Sequence, residues 1–124
     1  MFEYWMKTDI AALPEVNRIT GHVFTQDSMA DKIGTALYRY GKPEEISGNI
    51  TANIILPTGE TVSVNGEKEG NRAWVILPDS AYSTPGTLRI FLKTTDDGNT
   101  VTIGAAEGKV YESMTSEVAS NGNV

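Results

Sequence analysis

His22 is the sole histidine of the chain, and imidazole is the usual general base and metal ligand. It stands in the strand-like run 18–26, and the sequence holds no cysteine. A Ser-His-Asp relay or a two-histidine metal site would therefore need remote residues to complete it. A structural or surface histidine is the simpler reading. Adjacent acids occur at Glu44-Glu45 and Asp96-Asp97. Glycosidic chemistry needs two carboxyl groups about 5–10 Å apart across a cleft, whereas neighbouring acids at a turn point into water. Calcium fits Asp96, Asp97 and Asn99, or Asp27 and Asp31, slightly better, since hard cations take oxygen ligands. Neither stretch has the spacing of an EF-hand loop. No serine lies in a Gly-x-Ser-x-Gly elbow, and no phosphate-binding glycine loop exists. The expectation is a chain with no catalytic residue, no cofactor and no metal.

Aromatic side chains are the remaining chemical signal. Tyr38 and Tyr40 are expected on one strand face with Trp74 elsewhere on the sheet, and a sugar could stack on such rings. Core or edge packing is the plainer alternative, because large rings dominate cores. Phe2, Tyr4, Trp5 and Met6 crowd the first residues, where a free terminus would expose an apolar patch. Such residues favour interface centres, so this stretch is expected to be a docking arm that binds a partner.

Length and composition frame these candidates. The 124 residues suit one domain, and 40% hydrophobic with 21% charged residues is ordinary globular usage. Ten basic against sixteen acidic residues leave −6, the wrong sign for a general nucleic-acid or anionic-membrane binder. No apolar run approaches 18 residues, and charges interrupt the first stretch where a secretory signal would be continuous. Synthesis in the cytoplasm, followed by residence there or entry into an assembly, is the expectation.

The elements that must hold these side chains are short strands between turn signals. Residues 1–14 form the expected arm, 15–111 an all-β domain, and 112–124 a polar tail. Ile50, Ala52, Ile54 and Leu56 alternate with polar residues, and Pro57-Thr58-Gly59 leads into a second run with Val62 and Val64 inward. Asn65-Gly66 reads as the next turn. The stretch 72–77 is apolar on both faces over Trp74-Val75-Ile76-Leu77, as in a central or covered strand. Residues 78–86 suit one helical turn with Ala81 and Tyr82 inward. Leu88, Ile90 and Leu92 alternate next, then Val101, Ile103 and Ala105 after the hairpin loop 96–99. Residues 32–40 form an earlier strand, and 109–111 the last, around Val110. Seven or eight short antiparallel strands make a β-sandwich of immunoglobulin-like size, with a small closed barrel as the alternative.

The order Tyr40-Gly41-Lys42-Pro43, Ile54-Ile55-Leu56-Pro57-Thr58-Gly59, Gly70-Asn71-Arg72-Ala73-Trp74-Val75-Ile76-Leu77-Pro78 and Pro85-Gly86 resembles small phage virion proteins. Specifically, it is similar to the N-terminal β-domain of baseplate upper proteins and related head-fibre proteins. Arg18-Ile19-Thr20-Gly21-His22-Val23-Phe24-Thr25 fits the same family, and the resemblance spans about residues 16–113. It implies a non-enzymatic structural role in a virion assembled in the host cytoplasm, as head fibre, capsid decoration or baseplate component. Other virion proteins are the implied partners, with self-association into a homotrimer and a host-surface glycan as a further contact. The chain departs from the family pattern in having no heptad shaft after the β-domain.

Overall fold

The computed structural model describes residues 2–20 and 23–113, so His22 and most of the polar tail lie outside the described residues. The strands are β1 (Glu3–Asp9), β2 (Asn17–Arg18), β3 (Phe24–Thr25), β4 (Lys32–Arg39), β5 (Lys42–Pro43), β6 (Asn49–Ile55), β7 (Thr61–Asn65), β8 (Glu67–Glu69), β9 (Arg72–Ile76), β10 (Gly86–Asp96) and β11 (Asn99–Tyr111). One sheet runs β1-β4-β9-β8, with β5 at the end of β4. The other runs β2-β11-β10-β6-β7, with β3 also on β11. Two sheets packed together make the expected β-sandwich.

Alternation builds the core. Ile50, Ala52 and Ile54 of β6, Leu88, Ile90 and Leu92 of β10, and Val75 of β9 are all buried. The 3-10 turn Asp79–Tyr82 buries Ala81 and Tyr82, as the sequence suggests. In the first sheet, Ile33, Thr35 and Leu37 of β4 point inward beside Val75. Thr35 is 0% exposed, and its hydroxyl bonds Thr8 Oγ1 at 2.8 Å, which satisfies it inside the sandwich. Gly104 lets β11 approach that spot closely, since a Cβ there would stand 3.1 Å from the Met6 methyl.

The structure departs from sequence expectation in four places. Residues 3–9 are not a free arm: β1 pairs parallel with β4 along its whole length, and Met6 is only 3% exposed. The stretch 18–26 is not one strand but contributes two short parallel contacts to β11. The pairing is therefore mixed rather than wholly antiparallel. A bulge between Leu92 and Lys93 shifts the phase of β11, so Ile103 and Ala106 are both buried and Ala105 is half-buried, while Val101, opposite Thr94 near the hairpin end, is 51% exposed. Finally, Gly66 makes no positive-φ turn. There the chain crosses from the edge of one sheet to the edge of the other, and a Cβ would stand 2.5 Å from the Trp74 carbonyl oxygen.

Candidate functional site

The outward face of the first sheet gathers the unusual side chains. Strand alternation sends Phe2, Tyr4, Met6 and Thr8 toward the core, and Glu3, Trp5, Lys7 and Asp9 outward. Register then sets Trp5 beside Gly34, and Gly34 beside Trp74. The next outward row is Lys7, Ala36 and Arg72. Small residues on β4 thus leave room between large ones on β1 and β9.

Trp5 uses that room. Its six-membered ring lies over Gly34, where a Cβ would stand 2.4 Å from Cζ3. The Trp5 and Trp74 rings meet edge to face, 6.0 Å apart at 66°, a favoured aromatic arrangement. Trp5 Nε1–H donates to Glu3 Oε1 at 3.1 Å. The Arg72 guanidinium lies 5.3 Å from the Trp5 ring centre, and Lys32 Nζ lies 5.2 Å from that of Trp74. Lys7 Nζ sits 4.7 Å over Tyr38. Each such contact contributes about 0.5–1 kcal/mol at an exposed site. Among the described residues none of these three cations joins an ion pair, although Glu3, Glu67 and Glu69 share the face. A shallow cleft of about 660 Å³ runs past Trp5, Arg72 and Trp74. A second, about 320 Å³, lies beyond Lys32 and Trp74 beside Asn65 and Glu67.

One corner of this face is fixed by Asp9. Its carboxylate accepts from the backbone N–H groups of Ala11 (3.0 Å), Tyr40 (3.1 Å) and Gly41 (2.8 Å). These bonds, that of Gly41 foremost, hold the Asp9 carboxyl below its ordinary value. They also support the tight turn in which Tyr40 (φ 50°) and Gly41 (φ 77°) are both left-handed. Arg39 and Glu44 brace the same hairpin through an ion pair at 2.8 Å, which lowers the Glu44 carboxyl.

The sequence-derived candidates are distributed as follows. Of the proposed docking residues, Phe2 and Tyr4 pack against the core, Met6 is inside it, and Trp5 alone looks outward. Phe2 meets the Phe24 ring edge to face at 6.0 Å. Of the sugar-stacking candidates, Tyr40 lies on the turn past the strand, 82% exposed, rather than sharing a face with Tyr38. Tyr38 is four residues from Gly34, the neighbour of Trp74, so it sits about 13 Å along the strand at about 3.3 Å per residue. Both Tyr38 and Trp74 are half-buried. Trp5 as partner of Trp74 is the residue this reasoning missed. Alternation at positions 2–10 puts Trp5 outward, but only the parallel register brings it to Trp74.

The acid clusters disperse. Asp31 is buried against Tyr82, while the Asp27 carboxylate accepts from Ser113 Oγ. Asp97 and Gly98 form a positive-φ hairpin turn. Among the described residues no three His, Cys, Asp or Glu side chains gather as a metal site. What this surface presents is aromatic rings and cations held against one another in fixed geometry.

The chain matches no known protein family and none of the curated proteins with which it was compared. Among solved structures it is similar to the N-terminal domain of phage TP901-1 ORF48, with a TM-score of 0.53 and 10% sequence identity. The match covers 90% of this chain and 98% of that one. At that identity the likeness is one of fold, and it relates this sandwich to a phage protein domain over nearly its full extent.

Proposed function

We propose that this chain is a non-enzymatic structural domain of a phage virion that works by protein–protein contact. The observation that carries the reading is the near-complete fold match to a phage domain. The outward face supports it, since Trp, Tyr and Arg are the residues that dominate binding energy at protein interfaces. Docking through residues 1–14 narrows to Trp5, with Trp74 and Arg72 beside it. Phe2, Tyr4 and Met6 serve the docking surface by fixing β1 to the core.

The test is physical association with particles. Purified particles from the lysate in which the chain is made should contain it at constant ratio to the major coat protein across a density gradient. Recovery only in the soluble fraction would overturn the reading. Trp5→Ala should lower incorporation of chains that circular dichroism shows to be folded at the working temperature.

A carbohydrate-binding module is the second reading, favoured by the two clefts that flank Trp74 and Lys32. It predicts glycan binding that Trp74→Ala removes, measured by calorimetric titration with host-surface saccharides. The 66° angle between the rings and the cation beside each weigh against a flat stacking platform.

A further inference from the structure

The strand β7 ends the second sheet, and among the described residues nothing pairs with its outer side. Which of its backbone groups face that side follows from the ladder with β6. Gly66 N–H donates to Ile50 O and Leu56 N–H to Glu60 O, both at 2.8 Å. In antiparallel pairing, hydrogen-bonded pairs alternate with non-bonded ones. In the observed register Val62 opposite Ile54 and Val64 opposite Ala52 are therefore bonded pairs. Thr61, Ser63 and Asn65 must direct their N–H and C=O groups away from the sheet.

Exposed sheet edges are commonly blocked by charge, proline or a covering segment. The other edges here are. β8 is Glu67-Lys68-Glu69, and pairing with itself about Lys68 would set lysine against lysine and glutamate against glutamate. Pairing β1 with itself about Met6 would oppose Glu3 and Asp9. β5 carries Pro43, and the outer edge of β11 is partly taken by β2 and β3. β7 reads Thr-Val-Ser-Val-Asn, uncharged and close to palindromic about Ser63.

We propose that β7 is a self-complementary edge through which two copies of this chain pair antiparallel about a two-fold axis at Ser63. Ser63 then faces Ser63 of the second copy, and Thr61 faces Asn65, so every outward backbone group of these residues meets a partner. Val62 comes opposite Val64 of the second copy on the inward side, where both are already half-buried against the core. No like charges meet. The second sheets of the two copies become one continuous sheet. This contact lies on a different sheet from the Trp5 face and does not depend on the virion reading.

Sedimentation velocity of the full chain over a concentration series tests it. The expected result is a reversible dimer whose dissociation constant rises about tenfold or more in Ser63→Glu and in Ser63→Lys, because each sets like charges opposite one another. An equimolar mixture of the two variants should restore a heterodimer. Circular dichroism of each variant checks the fold; if Ser63→Glu is misfolded, the double variants Thr61→Glu/Asn65→Glu and Thr61→Lys/Asn65→Lys, alone and mixed, perform the same test. A monomer at every concentration overturns the proposal. So does a dimer indifferent to the substitutions, or a trimer such as the head-fibre resemblance implies. Trp5→Ala should leave the dimer intact, which separates this contact from docking to other virion proteins.

Discussion

The Trp5 ring fills the volume that any side chain at position 34 would need, with Cζ3 2.4 Å and Cε3 2.6 Å from where a Cβ would stand. Gly34 has no left-handed backbone, so its requirement is steric rather than conformational. Gly34→Ala must therefore push the indole off the sheet or shift β4 away from β1. The expected loss is about 1–3 kcal/mol, typical of overpacking. With only two tryptophans in the chain, a Trp74→Phe background makes emission report Trp5 alone. The emission should move to longer wavelength in Gly34→Ala, and an unchanged spectrum and melting temperature would refute the packing described.

Positions 2–10 carry Phe, Tyr, Met, Thr and Ile at every second place, which is the signature of a half-buried strand. Reading the crowded aromatics as a docking arm passes over that period. The hairpins of β6 with β7 and of β10 with β11 were legible because their partners are neighbours in sequence and their turns are marked by Pro57-Thr58-Gly59 and Asp97-Gly98. The apposition of Trp5 and Trp74 was not, because it depends on β4 lying between two strands far apart in the chain. The bulge at Leu92 was equally hidden. Nothing local distinguishes Val101, which is exposed, from Ile103, which is buried.

Among the described residues, Asp31 and Tyr82 form a fully buried polar contact. Tyr82 Oη donates to Asp31 Oδ2 at 2.9 Å and accepts from the Asp31 N–H at 3.1 Å, while Phe2 N–H donates to Oδ1 at 2.8 Å. The cluster ties the start of β1 to the 3-10 turn. Tyr82→Phe removes a partner from both groups of Asp31, and the expected loss is about 1–3 kcal/mol. Burial, aided by the Asp31 carboxylate, pushes the Tyr82 phenol above its ordinary value of 10.0. A raised value in the folded state means that the folded chain holds this proton more tightly. Its contribution to stability is complete below pH 10.0 and declines as pH rises from there toward the folded value. Chemical denaturation between pH 9 and 11 should show wild type losing stability faster than Tyr82→Phe, and parallel curves would refute the linkage.

Asp9 acts in the opposite direction. Its carboxyl is held below the ordinary 3.8 by backbone donors, so the folded chain prefers the ionised form. That contribution is present above pH 3.8 and is lost as pH falls through the lower folded value. Asp9→Asn keeps an acceptor oxygen but has no charge to titrate. Wild type should melt above the variant at pH 7, and the gap should close toward pH 2.5. A difference that stays constant over this range would mean that the charge of Asp9 contributes nothing.

Ile54 and Ile90 face each other across β6 and β10, and both are 0% exposed. Replacing either with Ala removes buried methyl and methylene groups from a position flanked by strands, where collapse is restricted. The expected cost is about 2–5 kcal/mol for each. Because the two side chains are cross-strand neighbours, the double variant should differ from the sum of the singles by about 0.5–3 kcal/mol. Val101 supplies the contrast. Simple alternation from Ile103 would place it in the same core, whereas near the hairpin end it is half in water, and Val101→Ala should change stability by no more than about 0.5 kcal/mol. Urea denaturation of the four variants reads both results together. A large loss at Val101 would show that the core extends to the hairpin end, and near-wild-type stability at Ile54 and Ile90 would remove the core on which the sandwich depends.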